Sequence, residues 1–197
     1  IPPGVDLFAA EARPQAQTDR MSAAPVLQAR DLVKHYPLPR GLRDLWQRRS
    51  RAVRAVDGMS ADLPRRFTLG IVGESGCGKT TFARCIAGLE EATAGEIRLE
   101  SKRLPYLARQ RPVAALQEIQ MVFQNPDASL NPQHTAGESV ARPLVRLHGL
   151  SRGQVQARVA ELFRAVNLPE DYVNRLPHEL SGGEKQRVAI ARAIAVE

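Results

Sequence analysis

The segment "GESGCGKTT", from Gly73 to Thr81, has the residue types and spacing of a phosphate-binding loop. It matches the pattern G-x-x-x-x-G-K-[ST] at every required position. Glycines let backbone N–H groups point into one concavity that binds phosphate oxygens, and the positive end of a following helix strengthens the attraction. In such a loop Lys79 contacts the β- and γ-phosphates, and the Thr80 hydroxyl ligates Mg²⁺. The predicted contacts to a nucleoside triphosphate are Gly73, Glu74, Ser75, Gly76, Cys77, Gly78, Lys79, Thr80 and Thr81.

A glycine-rich turn between a strand and a helix can also be purely structural. Here the preceding segment "FTLGIV" (67–72) is apolar and predicts a buried parallel strand. Residues 80–89 carry apolar side chains at helical spacing. Because strand, loop, Lys-Thr pair and helix follow in this order, we interpret the segment as a nucleotide site. We interpret Cys77 as a small residue that fits a tight loop and not as a redox centre.

The second pattern is "LSGGEKQRVAIARA", residues 180–193. Ser181 and Glu184 fit a capping box, and a helix start with a serine and two glycines also offers donors to an anion. The stretch closely resembles the signature motif of ABC-transporter ATPases, although that motif usually has Gln where this chain has Glu184. The resemblance implies that Ser181, Gly182 and Gly183 bind the γ-phosphate of an ATP held by a second ATPase domain.

Two further stretches are similar to the same family. "QMVFQNPDASLNP" (120–132) resembles the Q-loop region of peptide-type importer ATPases, which implies that Gln124 reaches Mg²⁺ and the attacking water. Tyr36, in "LVKHYP", resembles the aromatic residue that stacks on adenine, although a tyrosine at a strand end can equally serve packing. The resemblance therefore implies Lys79 and Gln124 as catalytic residues, Thr80 and Gln124 as metal ligands, and ATP and Mg²⁺ as cofactors.

The resemblance covers residues 26–197 and implies an α/β fold, a P-loop NTPase of ABC type. Such a fold has an N-terminal antiparallel β region and a helical subdomain inserted after the Q-loop. We predict strands over 26–36, 53–63, 67–72, 96–100 and 119–124. Capping boxes at 135–138 and 151–154 predict the starts of two helices. Arg66 and Phe67 stand where the family usually has Gly-Glu, and we expect this departure to affect the turn and not the phosphate site.

The predicted elements divide the chain into a linker or disordered tail, an ATP-binding core, a helical subdomain, and the signature motif with its helix. These parts span residues 1–25, 26–131, 132–180 and 181–197. The family continues after the signature helix into a strand that ends in the catalytic Glu. We therefore expect the C-terminal part of the core to lie outside these residues, and the 197 residues alone to lack ATPase activity. We also expect Ile1 to lie within a longer reading frame.

Charge is concentrated in residues 40–54, where six arginines face only one acid, Asp44, in a chain of net charge +7. Such a segment can be a solvated loop, contact anionic lipid or bind nucleic acid. It contains one aromatic residue, Trp46, and lacks the interleaved aromatics of a single-strand-binding surface. Nucleic acid is therefore the least favoured partner. No apolar run approaches the ~20 residues that a membrane-spanning helix needs.

The resemblance implies the ATP-binding subunit of an importer for peptides or a similar small solute, at the cytoplasmic face of the membrane. The implied partners are a second ABC ATPase domain, as a homodimer, heterodimer or fused tandem, then transmembrane permease subunits and, indirectly, a solute-binding protein. The resemblance does not select among dipeptides, oligopeptides, glutathione and nickel. The alternative is a soluble ABC-type ATPase that acts on nucleic acid or ribosomes, which only the basic segment favours.

Overall fold

A computed structural model of the chain describes residues 24–38 and 52–196. The predicted linker up to residue 23 and the basic segment from 40 to 51 lie outside the described residues. The chain divides into two compact units, one ending at Arg111 and the other beginning at Pro112. Each unit has its own secondary structure and buried residues. No helix within the described ranges combines the length and apolar character that crossing a bilayer requires.

The first unit contains an antiparallel sheet of four strands in the order β2-β1-β3-β4. The strands are β1 (Pro25–Pro37), β2 (Ala52–Pro64), β3 (Ala94–Leu99) and β4 (Lys102–Arg103). The first three confirm the strands predicted over 26–36, 53–63 and 96–100. One or two residues of each long strand are buried, among them Ala29, Leu32 and Ile97, and an irregularity in the pairing separates the first two.

Helix α1 (Lys79–Ala87) follows the glycine-rich loop and buries Phe82 and Cys85. It ends at Gly88, whose left-handed conformation (φ 76°) places its N–H on the carbonyls of the last turn. The buried guanidinium of Arg111 binds the same end. Arg111 donates to the α1 carbonyls of Ile86 at 2.7 Å and Cys85 at 3.5 Å, and to those of Pro105 at 2.9 Å and Tyr106 at 3.2 Å in a later segment. Gly88 and Arg111 together therefore fix the far end of α1.

The parallel strand predicted over residues 67–72 is wrong. These residues form no strand, and Leu69 and Val72 are 48 % and 86 % exposed. Part of the segment lines an apolar recess of about 330 Å³ between the sheet and α1. A parallel strand forms only beside another strand, and no strand within the described residues pairs with this one. The turn before it has Arg66 in the left-handed region (φ 62°), a conformation that favours glycine.

The second unit is helical. Its helices are α2 (Val113–Glu118), α3 (Ala136–His148), α4 (Arg152–Ala165) and α5 (Gly182–Ile194), joined in part by short 3₁₀ turns. The two predicted capping boxes are confirmed at the starts of α3 and α4. The core of this unit is formed by apolar side chains of α3, α4 and α5, with Val140, Phe163 and Val188 fully buried.

The strand predicted over residues 119–124 is also wrong, because this segment has no strand partner within the described residues and remains irregular. The segment is joined to the helical unit by a hydrogen bond from Gln186 of α5 to the carbonyl of Phe123, at 3.4 Å. The preceding α2 is joined to the same unit, because Gln117 donates to the carbonyl of Leu147 at the end of α3, at 3.2 Å. The helical unit begins at Pro112, whereas the subdomain was predicted from residue 132.

We predict that Arg111→Lys lowers the free energy of unfolding by about 2–3 kcal/mol. A lysine cannot reach the carbonyls at the end of α1 and those of Pro105 and Tyr106 together, so it leaves buried acceptors unpaired. The matched control is Arg109→Lys in the same turn, which is exposed and should change stability by less than ~0.5 kcal/mol. Urea unfolding followed by circular dichroism measures both. Equal stability of the two variants would contradict the role given to Arg111.

Candidate functional site

The loop from Gly73 to Gly78 is shaped by glycines at positive φ. Gly76 and Gly78 have φ angles of 82° and 100°. A Cβ at Gly76 would meet open space, whereas a Cβ at Gly78 would overlap the backbone carbonyl of Ala55 in β2. The loop therefore turns into α1 against β2 at a distance that only glycine allows. This contact fixes where the helix begins relative to the sheet of its own unit.

Lys79 folds back over the loop. Its ammonium donates to the carbonyls of Gly73 at 2.8 Å and Glu74 at 2.7 Å, and lies 3.5 Å from the sulfur of Cys77. The positive charge is thus held within the curve of the loop. A phosphate oxygen entering this curve would meet the ammonium and the loop amides together.

The start of α1 has no acceptor of its own. The N-cap residue is Gly78, which makes no side-chain hydrogen bond, and the first turn contains no acidic residue. The first N–H groups of a helix lack partners within the helix and carry its positive dipole end. In α1 they remain open to an anion. Thr80 is exposed in this first turn, so its hydroxyl is accessible.

Tyr36 lies near the end of β1 and is 36 % exposed. It pairs with Val53 of β2, two residues before Ala55, so β2 connects the tyrosine to the loop. The ammonium of Lys34 lies 4.7 Å from the ring centroid and is fixed by the carbonyl of Glu91 at 2.8 Å. One face of the ring therefore receives a cation, and the ring remains accessible for stacking.

In the helical unit, Ser181 caps α5 and is bound to Glu184. The amide and the hydroxyl of Ser181 both donate to Oε2 of Glu184, each at 2.7 Å, and the Glu184 amide donates to the Ser181 hydroxyl at 3.4 Å. The hydrogen bonds from the Ser181 hydroxyl and then from its amide lower the pKa of Glu184. Gly182 and Gly183 present an open backbone, because an added Cβ would meet nothing closer than 3.7 Å.

Gln124 is exposed and lies in an irregular segment. The sequence predicted that it would stand at the end of a strand over residues 119–124. Sequence reasoning missed the residues that hold this segment, which lie on α5. Lys185 contacts the carboxylate of Asp127 at 2.6 Å, and Gln186 donates to the carbonyl of Phe123 at 3.4 Å. Arg192 donates to the carbonyl of Ser129 at 2.6 Å. The only sequence signal for these residues is their polarity on a helix with a buried face.

The site residues thus fall into two groups, one in each unit. Tyr36 and the loop from Gly73 to Thr81 belong to the first unit, with β2 between them. Ser181, Gly182, Gly183 and the segment bearing Gln124 belong to the helical unit, where α5 joins them. The first group can bind a phosphate chain and an aromatic base. The second group combines an exposed amide side chain with a glycine-rich helix start.

Comparison with known proteins gives a family match over residues 56–197, to a family described as ABC transporter. The di/tripeptide transport ATP-binding protein of Pseudomonas aeruginosa is 40 % identical over 172 residues, covering 87 % of this chain and 52 % of that protein. The oligopeptide transport ATP-binding protein of Escherichia coli is 44 % identical over 173 residues, with coverages of 87 % and 52 %. The chain therefore spans about half the length of these relatives.

Solved structures agree with this match. The dimeric post-hydrolysis state of the ATP-binding cassette MJ0796 bound to ADP and Pi has a TM-score of 0.69 at 27 % identity, covering 86 % of this chain and 69 % of that one. The dimeric structure of the same bacterial ABC transporter cassette has a TM-score of 0.70 with the same identity and coverages. The predicted fold class, an α/β P-loop NTPase of ABC type, is confirmed.

We predict that Gly78→Ala lowers the free energy of unfolding by about 2–5 kcal/mol, because it adds left-handed strain and an overlap with Ala55. Gly76→Ala is the matched control in the same loop. It adds the strain alone, about 1–2 kcal/mol, since its side chain meets open space. Urea unfolding of both variants measures the difference. Equal losses would show that the Gly78 contact does not constrain the loop.

Proposed function

Because the chain belongs to the ABC transporter family, we propose that it is the ATP-binding part of an importer, which couples ATP binding and hydrolysis to uptake of peptides or a similar small solute. The observation that carries the proposal is the open start of α1, with Lys79 folded over a loop that matches the phosphate-loop pattern. The named relatives above act in di/tripeptide and oligopeptide transport, which supports the solute class.

In this proposal the phosphate chain of ATP occupies the loop from Gly73 to Gly78. The loop amides and the start of α1 bind the phosphate oxygens, and Lys79 moves from the carbonyls of Gly73 and Glu74 onto the β- and γ-phosphates. The adenine stacks on Tyr36, on the same strand pair that supports the loop. Tyr36 pairs with β2, and the loop packs against β2 at Gly78. The distance between the base site and the phosphate site is therefore set within one unit.

The exposed hydroxyl of Thr80 also suits Mg²⁺ as a ligand. A magnesium ion at such a site is held by one or two protein oxygens, phosphate oxygens and water. The exposed hydroxyl of Thr80 is the ligand from α1, and the amide oxygen of Gln124 is the ligand that the family resemblance implies. When bound, the ion neutralises charge on the transferred phosphoryl group. An amide side chain is not a base, so Gln124 would position the attacking water without taking its proton.

Ser181, Gly182 and Gly183 act on the ATP of a second ATPase domain in this proposal. Their exposed helix start and open glycines support such a contact, because a phosphate can approach the backbone closely. Closing of two domains around ATP, followed by hydrolysis and reopening, would drive the permease subunits. The chain would then act at the cytoplasmic face of the membrane, with a solute-binding protein as an indirect partner.

The alternative of a soluble ATPase acting on nucleic acid or ribosomes has less support. It depends on the basic segment 40–54, of which residues 40–51 lie outside the described part of the chain. Arg54 lies in β2 and pairs with Asp57 at 3.2 Å. The relatives named above are ATP-binding proteins of transport systems, which favours the importer.

We predict that the full-length protein binds Mg-ATP and that Lys79→Ala weakens binding by about tenfold or more, since a charge-assisted contact contributes about 1.5–3 kcal/mol. Lys102→Ala, at an exposed lysine of β4, is the control and should bind like the wild type. Titration calorimetry decides. Equal affinity in wild type and Lys79→Ala would reject the nucleotide site.

We predict separately that Tyr36→Ala weakens ATP binding by about 1–3 kcal/mol, the range for stacking of one base on an aromatic side chain. Inorganic tripolyphosphate has no base and should bind wild type and variant equally. Tyr36→Phe keeps the ring and should restore ATP affinity. A loss of tripolyphosphate affinity in Tyr36→Ala would instead indicate that the tyrosine supports the fold of the loop.

A further inference from the structure

The start of α5 already holds an anion of its own chain. Oε2 of Glu184 accepts both the hydroxyl and the amide of Ser181, each at 2.7 Å. A serine hydroxyl has a single proton to donate. While it donates to Glu184, Ser181 has no hydroxyl proton for a phosphate oxygen. The carboxylate therefore uses the Ser181 donors, which the proposed function assigns to a partner's ATP together with the backbone of Gly182 and Gly183.

We propose that Glu184 is an internal competitor of the γ-phosphate, and that its carboxylate must leave Ser181 before the partner domain's ATP can bind at this helix start. This inference rests on the proposed function, because it concerns the same turn. It makes Glu184 an autoinhibitory residue that weakens ATP-driven pairing of two domains.

The negative charge of Glu184 strengthens its competition with the phosphate, because the carboxylate repels the phosphate as well as occupying the hydrogen-bond donors of Ser181. The Ser181 contacts lower the pKa of Glu184, so the side chain is ionised at neutral pH. An approaching phosphate would meet a like charge at this helix start. A helix start without a carboxylate would instead attract the phosphate. The contrast within the chain is α1, whose first turn has no acidic residue and whose cap has no side chain.

The displaced carboxylate has a second partner available. Arg187 follows Glu184 by three residues on α5, a spacing at which helical side chains are neighbours. Its Nη1 lies on the side of Gly183, and its Nε is buried without a hydrogen-bond partner among the residues that the structure describes. A rotation of Glu184 from Ser181 towards Arg187 would free both donors and keep the carboxylate paired.

A capping box with a glutamate also closes the start of α3 and supplies a control. At α3, the amide of Thr135 donates to Glu138 at 2.8 Å and the Glu138 amide donates to the Thr135 hydroxyl at 3.1 Å. Glu138→Gln and Glu184→Gln both remove the charge from a capping box, while the amide oxygen still accepts from the cap residue, as Gln154 does from Ser151. The pair of variants therefore isolates the charge of the competing side chain. Only Glu184 lies in the turn that the proposed function places on a partner's ATP.

The test compares wild type, Glu184→Gln and Glu138→Gln of the full-length protein. Sedimentation measures the dimer constant with Mg²⁺ and a non-hydrolysable ATP analogue. We expect Glu184→Gln to pair about tenfold more tightly than wild type, because the variant removes a like charge beside the bound γ-phosphate. We expect Glu138→Gln to pair like wild type. The gain should shrink as salt is raised, because the repulsion is screened.

Steady-state ATP hydrolysis gives a second readout. We expect Glu184→Gln to lower KM for ATP with little change in kcat, and both variants to show the same small change in thermal stability. Equal dimer constants in all three proteins, or weaker pairing of Glu184→Gln, would overturn this inference while leaving the nucleotide site intact. Failure of the wild type to bind ATP in calorimetry would reject the proposed function, and this inference with it.

Discussion

The approach of Gly78 to the carbonyl of Ala55 is the contact on which the nucleotide-binding geometry depends. It brings the loop so close to β2 that no side chain fits, and it sets the point at which α1 starts. The direction of the first helical N–H groups and the position of Lys79 follow from that starting point. The other end of α1 is fixed independently, by Gly88 and by the four carbonyls that Arg111 binds. A helix held at both ends keeps its open first turn without a cap.

The starts of the helices differ in a way that relates to function. Three of them, at Ser151, Thr135 and Ser181, are closed by a side chain of their own first turn. The starts of α1 and of the short helix α2 are not. A closed start stabilises the helix in the absence of any ligand, whereas an open start leaves that stabilisation to a bound anion. Under the proposed function, phosphate would meet free N–H groups at α1, whereas at Ser181 it would have to displace a carboxylate.

Local signals in the sequence predicted the features that local interactions determine. The capping boxes place their helices because Ser181 and Glu184, or Thr135 and Glu138, interact within one turn. The turn from the glycine-rich loop into α1 was predictable, since its glycines act on their own backbone angles. The strands over 67–72 and 119–124 were not predictable from their apolar composition, because a parallel strand exists only beside a neighbour. Leu69 and Val72 are exposed, since no strand among the described residues lies beside them.

The candidate site shows the same division. The spacing of residues in the sequence identified the glycine-rich loop and the serine turn as candidate sites. It predicted the pairing of Ser181 with Glu184, but not the hydrogen bonds of Lys79. Lys79 bound to the carbonyls of Gly73 and Glu74 could not be inferred from a pattern that describes the ligand-bound role. The contacts from Lys185 to Asp127 and from Arg192 to Ser129 join residues far apart in sequence, and no local pattern indicates them.

These contacts have a consequence for exchanging parts between related proteins. Lys185, Gln186 and Arg192 hold the segment from Phe123 to Ser129 at points spread over two turns of one rigid helix. A shift of the segment by a single residue would break all of them together. The segment and α5 therefore have to be exchanged together. A chimaera that receives only one of them from a relative would lose the three contacts between them.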